Sequence, residues 1–146
     1  MSGCGRGAVL LLVARRLASG RAVGIDLWKR GDQWGNSARA ALDNAVREGV
    51  ADRIEVRTAD MTALPFAEAS FDVVVSSLAI HNVPSREGRD RAIAEAVRVL
   101  RPGGRLLIAD MGVTRQYQEC LVGLGMTEVS RRDLGGRMWW FGPLLR

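Results

Sequence analysis

At 146 residues the chain suits one domain, residues 1–146, and leaves little room for a second. Hydrophobic residues make up 47% and charged residues 25%, an ordinary composition for a protein with a packed core. The formal net charge is +5, but the arginines are scattered (Arg15, Arg53, Arg89, Arg131) and form no run, so solvated faces explain them better than a nucleic-acid footprint. An acidic small-molecule ligand stays open. The two cysteines, Cys4 and Cys120, make neither a disulfide framework nor a metal signature, and suit free thiols in a reducing, cytoplasmic setting. No apolar run approaches the roughly 20 residues that span a bilayer. The short run 8–14 lacks the cleavage signal of a leader peptide.

Helical and strand patterns alternate along the chain. Residues 7–19 are dense in apolar side chains, with Arg15 and Arg16 on a solvated side, and predict a helix ending near Gly20. Residues 22–25 predict a short strand closed by Asp26. Residues 36–48 predict a helix capped by Asn36 or Ser37 and stopped by Gly49. Residues 53–58 alternate as a strand. The apolar run 71–77 predicts a strand buried on both faces. A helix follows over 86–101, ended by Pro102, Gly103 and Gly104, and a second buried strand over 105–109. Residues 114–124 predict a helix, and 127–134 and 137–141 two closing strands. Leu10, Leu11, Val97 and Leu100 are expected in the core. Strands separated by helices imply an α/β fold, a doubly wound, mostly parallel sheet of Rossmann type with helices on both faces.

Three clusters carry chemistry. Gly3-Cys4-Gly5-Arg6-Gly7 opens straight into a helix. Glycines there allow a tight turn and bare backbone against a ligand, and the helix start offers N–H groups to an anion. Alone this is also what a plain capping loop looks like. Asp26 ends the next strand, about twenty residues on, where a carboxylate can accept from both ribose hydroxyls. That pair points to a nucleotide without separating a nicotinamide cofactor from S-adenosylmethionine. Ala59-Asp60-Met61, Leu64-Pro65-Phe66, the strand Phe71–Ser77 and Leu100-Arg101-Pro102-Gly103-Gly104 then follow in order.

In this set and spacing the chain resembles class I S-adenosylmethionine-dependent methyltransferases, in the branch acting on quinones and other small molecules. The resemblance runs from Gly3 to about Met126. It implies that Gly3, Cys4, Gly5 and Gly7 hold the methionine end of the cofactor. It implies that Asp26, with Leu27 beside it, takes the ribose. Asp60 would take the adenine amino group with Met61 packing nearby, and Ser76 and Ser77 would line the methionine side by backbone contacts. The implied partner is a small-molecule methyl acceptor, with no metal, nucleic acid or membrane. Methyl transfer from a sulfonium needs placement more than acid–base help, so the catalytic residue is faint. His81, the one histidine, should sit just past the fourth strand of the fold, as a base, a pocket wall or a loop brace. Trp28 and Trp34 follow the ribose carboxylate, and Trp28 reads equally as a cover for adenine or as packing.

Members of this family begin with a strand ending in an acidic residue two places before the first glycine; Met1 stands there. The expectation is therefore a sheet without its central first strand, and without the N-terminal helical cover. Two rows of backbone groups would then face each other without partners. Strand exchange or a homodimer is one way to cover them. The last antiparallel strand would have to come from 137–146, and the aromatic end Trp139, Trp140 and Phe141 reads as sheet packing, or as a substrate lip or self-association surface. A degenerate relative without catalysis is the second reading. A nicotinamide oxidoreductase is a third, but Tyr117 and Lys29 do not stand where a hydride-transfer pair belongs.

Overall fold

The computed structural model describes residues 3–29, 35–133 and 135. Among them the order is α1 (Ala8–Arg16), β1 (Ala22–Asp26), α2 (Ala38–Arg47), β2 (Ile54–Thr58), β3 (Phe71–Ser77), α3 (Arg86–Val99), β4 (Leu100–Ala109) and α4 (Thr114–Gly123), with one-turn 3-10 segments at Ala51–Arg53 and Ile80–Asn82. The α/β alternation expected from the sequence is present. Trp34, the Arg137–Phe141 strand and the aromatic end lie outside the described residues.

α1 forms because Leu10, Leu11 and Ala14 recur at helical spacing and are buried together, while Arg15 and Arg16 occupy the last turn, where cations suit the helix dipole. It stops at Arg16, three residues early, because Leu17 is already extended at φ −70° and ψ 124°. α2 is capped by Ser37, whose hydroxyl accepts from the Ala40 N–H at 3.1 Å; Asn36 is left free for another task. Gly49, at φ +66°, turns the chain out of the helix.

β1 and β2 pair in parallel from Ala22 opposite Ile54 to Asp26 opposite Thr58. β3 and β4 pair in parallel, with Val74 opposite Leu106 and Ser77 opposite Ala109. No strand among the described residues joins the two pairs. They meet through side chains instead: Ile25 of β1 shares a core cluster with Val74, Val99 and Leu100. A second cluster packs Cys4, Leu10, Leu11 and Ala14 on Ala22, Ala45 and Ile54. A third joins Ile80, Ile93 and Tyr117. Leu10, Leu11 and Leu100 are in the core as expected, whereas Val97 is only half-buried.

Three expectations need correction. α3 ends at Val99, and the strand after it starts at Leu100 and runs through Pro102–Gly104. The Ser70 and Ala69 N–H groups donate to Val99 and Arg98 carbonyls, and Gly104 presses so closely on the Asp72 carbonyl that no Cβ would fit. That draws the turn alongside β3, at the cost of an irregular register between Phe71 and Val73. β3 and β4 are not covered on both faces. Val74 and Ser76 turn inward, but Val73 is 50% and Leu107 53% exposed, because α3 and α4 both lie on the Val74 side. Finally, residues 127–133 form no strand.

Candidate active site

The carboxyl ends of β1, β2 and β3 converge on a cavity of about 630 Å³. That is within the range of ordinary ligand pockets. It is lined by Gly3, Cys4 and Gly5 of the glycine loop, by Asp26 and Leu27, by Asp60 and Met61, and by Ser77. Residues far apart in sequence are thus brought together much as their motif order implies.

The loop is built by its glycines. Gly3, Gly5 and Gly7 have φ of +65°, +50° and +93°, values that L side chains rarely adopt. A Cβ at Gly3 would in addition collide with the Cβ of Ala79 in the turn after β3. The Cys4 N–H donates to the Ile25 carbonyl at 3.0 Å, which lays the loop across the end of β1. Gly7 caps α1 and does not face the cavity. The Cys4 thiol is buried against Gly24, and desolvation, reinforced by the nearby Asp26 charge, pushes its pKa up to about 12. Its side chain packs in the core cluster under α1.

Asp26 is buried, and both its oxygens are engaged. Oδ2 accepts from the Gly5 N–H at 2.8 Å; Oδ1 accepts from the Trp28 N–H at 2.7 Å and the Asn36 amide at 3.3 Å. One carboxylate therefore ties the glycine loop, the end of β1 and the approach to α2. A carboxylate offers about four acceptor positions, so one remains for a ribose hydroxyl. Trp28 does not line the cavity. Its backbone is left-handed at φ 55°, its ring packs against the α1 cluster, and its Nε1 donates to the Thr58 hydroxyl at 2.8 Å. Packing, not an adenine cover, is what this tryptophan does. Asn36, read from sequence only as a cap candidate, lines the cavity, and its Oδ1 is buried without a partner among the described residues.

Asp60 folds its own turn. Oδ1 accepts from the Thr62 N–H and hydroxyl, both at 2.8 Å, and Oδ2 has no partner among the described residues, on an exposed side chain lining the cavity. Met61 is half-buried between two core clusters. Ser77 faces the cavity but Ser76 does not: neighbours on a strand point to opposite faces, and Ser76 is buried inward with its hydroxyl unpartnered among the described residues.

His81 lies on the 3-10 turn after β3 and lines neither this cavity nor a second hollow of about 930 Å³ beside β4 and α4. Ala79 and Asn82 of the same turn do line the first cavity. Its backbone N–H donates to Asp110 Oδ2 at 3.0 Å and its Nδ1 lies 2.5 Å from Asp110 Oδ1. Asp110, whose side chain is wholly buried, also accepts from the Met111 N–H and from the Tyr117 hydroxyl. Burial, with the Asp110 charge, holds the Tyr117 phenol well above its usual pKa. The Asp110 partnership was not legible in the sequence, because a single acidic residue after a strand is indistinguishable from a turn residue.

Comparison with known proteins places the chain in a family. A sequence model of the methyltransferase domain family matches residues 1–108, and the chain belongs to that family. It is 42% identical over 73 residues to the ubiquinone/menaquinone biosynthesis C-methyltransferase UbiE of Brucella anthropi, covering 50% of this chain and 27% of that one. A SAM-dependent methyltransferase of Methanosarcina mazei superposes with a TM-score of 0.64 at 26% identity, covering 91% of this chain and 65% of that one. The [4+2]-cyclase SpnF superposes with a TM-score of 0.67 at 26% identity, covering 84% and 48%. The chain therefore spans about a quarter of that curated relative and about half of SpnF. No helix among the described residues is long and apolar enough to cross a membrane.

Proposed function

We propose that the chain takes part in S-adenosylmethionine-dependent methyl transfer to a small-molecule acceptor. The observation that carries the reading is one cavity bordered by the bare glycine loop, the Asp26 hub and the open oxygen of Asp60. These donors and acceptors suit a ligand with an amino-acid end, a ribose and an adenine, in that order along the cavity. When bound, the cofactor supplies a methyl group on a sulfonium, already attached to a good leaving group.

The chain's own residues then bind and orient. The Gly3–Gly5 backbone approaches the amino-acid end, Asp26 accepts from the ribose, and Asp60 Oδ2 accepts from the adenine amino group. His81 lines neither cavity, so its bonds to Asp110 are assigned to bracing the turn after β3. Asp110 engages both the backbone N–H and Nδ1 of His81 and fixes the ring. A reducing, cytoplasmic setting suits the two free thiols.

Calorimetric titration with S-adenosylhomocysteine, with NAD as comparison, tests the reading. Binding of the former alone, weakened in Asp60→Asn, is the expected result. A folded chain that binds neither ligand, or NAD preferentially, overturns it.

A further inference from the structure

α3 reaches back to the cofactor cavity in an unexpected way. Its residues Glu95 and Arg98 sit one turn apart and form a fork, with Arg98 Nε 2.6 Å from Glu95 Oε1 and Nη2 2.8 Å from Oε2. The fork grips a segment of another part of the chain. Glu95 Oε2 accepts from the Leu64 N–H at 2.7 Å; Arg98 Nη2 donates to the Leu64 carbonyl at 3.1 Å and Nη1 to the Phe66 carbonyl at 2.9 Å. Both side chains are largely shielded, at 20% and 35% exposure, so these bonds are less screened than a surface pair.

The gripped segment is the end of the turn that carries Asp60. That turn is continuous through hydrogen bonds: Thr62 N–H to Asp60 Oδ1, Ala63 N–H to the Asp60 carbonyl, then Leu64 in the fork. Leu64 itself is buried in the core cluster beside Val99. An irregular segment of this length has no ladder of its own, so its position is set by what holds its ends. One end is β2, and the other is the Glu95–Arg98 fork. The same helix lines the cavity with Gly88 and Arg91.

We infer that Glu95 and Arg98 are positioning residues for cofactor binding: by gripping Leu64 and Phe66 they set Asp60 at the place where it accepts from an adenine amino group. The inference rests on the cofactor reading above and goes beyond it by assigning a role to two side chains that touch no ligand. The bonds to Arg98 also hold the Glu95 carboxyl below its usual pKa, so the fork is intact throughout the neutral range.

The test compares two probes, S-adenosylhomocysteine and its 6-desamino analogue, in which hydrogen replaces the amino group on the purine. Each is titrated into wild type, Glu95→Gln, Arg98→Lys and Asp60→Asn at a temperature where circular dichroism shows all four folded. Glu95→Gln and Arg98→Lys should weaken S-adenosylhomocysteine by about tenfold, the scale of one misplaced hydrogen bond. They should leave the desamino analogue within about twofold of wild type, and so should Asp60→Asn. Equal weakening of both probes means the fork only supports the fold, and overturns the inference. So does unchanged binding of both. Failure of wild type to bind S-adenosylhomocysteine refutes the cofactor reading instead, and is a separate outcome. Should Arg98→Lys not fold, Glu95→Gln, which keeps the shape of the side chain, carries the comparison.

Discussion

Two acidic residues border the cavity, and the structure sets their roles apart. Asp26 is 9% exposed, and its two oxygens accept from two different backbone N–H groups, those of Gly5 and Trp28. In Asp26→Asn only one oxygen survives. One N–H must lose its acceptor and face an NH2 group instead. A hydrogen bond to a charged group contributes about 1.5–3 kcal/mol, and a stranded buried donor costs about 1–3 kcal/mol. Taking about 3 kcal/mol as the net loss, thermal unfolding should move down by roughly 6–12 °C for a chain of this size. Asp60→Asn is the contrast. Its turn uses only Oδ1, which asparagine retains, and the side chain is exposed, so the midpoint should shift by no more than about 2 °C. Yet that variant should lose S-adenosylhomocysteine affinity by about tenfold, since the open oxygen becomes a donor facing a donor. Circular dichroism melts and titrations of both variants give the answer. An Asp26→Asn protein that melts with wild type would refute the hub, and an Asp60→Asn protein that destabilises strongly but binds normally would invert the assignment.

Two further outcomes follow from the same geometry. Gly3→Ala meets both a left-handed backbone and the Ala79 Cβ, whereas Gly20→Ala, at φ +87°, has open space around its Cβ. Gly20→Ala should cost about 1–2 kcal/mol in denaturant titrations. Gly3→Ala should cost about 1–3 kcal/mol more for overpacking and weaken S-adenosylhomocysteine binding; equal losses would mean the loop does not press on Ala79 as described. The Cys4 thiol, raised from 9.0 to about 12 in the fold, should have a thiolate fraction about a thousandfold smaller at pH 8 than in the unfolded chain. In a Cys120→Ser background, labelling by an aromatic disulfide reagent should therefore be slow until denaturant is added. The group's contribution to stability is present below pH 9 and is lost as pH rises towards about 12, because the folded state favours the neutral thiol. Rapid native labelling at pH 8 would contradict its burial.

Sequence alone determined the order of elements and part of the cavity wall. Local chemistry was enough for that. Glycines that must adopt positive φ mark Gly3 and Gly5, Asn36 or Ser37 marks the start of α2, and Asp26 and Asp60 mark strand ends. Only the tertiary structure decided which side of each residue is used. Ser77 faces the cavity and Ser76 the core because alternation on β3 is tied to where α3 packs. Trp28 turns to Thr58, and β3 and β4 expose Val73 and Leu107, because coverage depends on elements distant in the chain. The Glu95–Arg98 fork and the Asp110 carboxylate were invisible for the same reason. Their partners lie about thirty residues away, at Leu64, Phe66 and His81, and no periodicity or motif records a contact at such a separation.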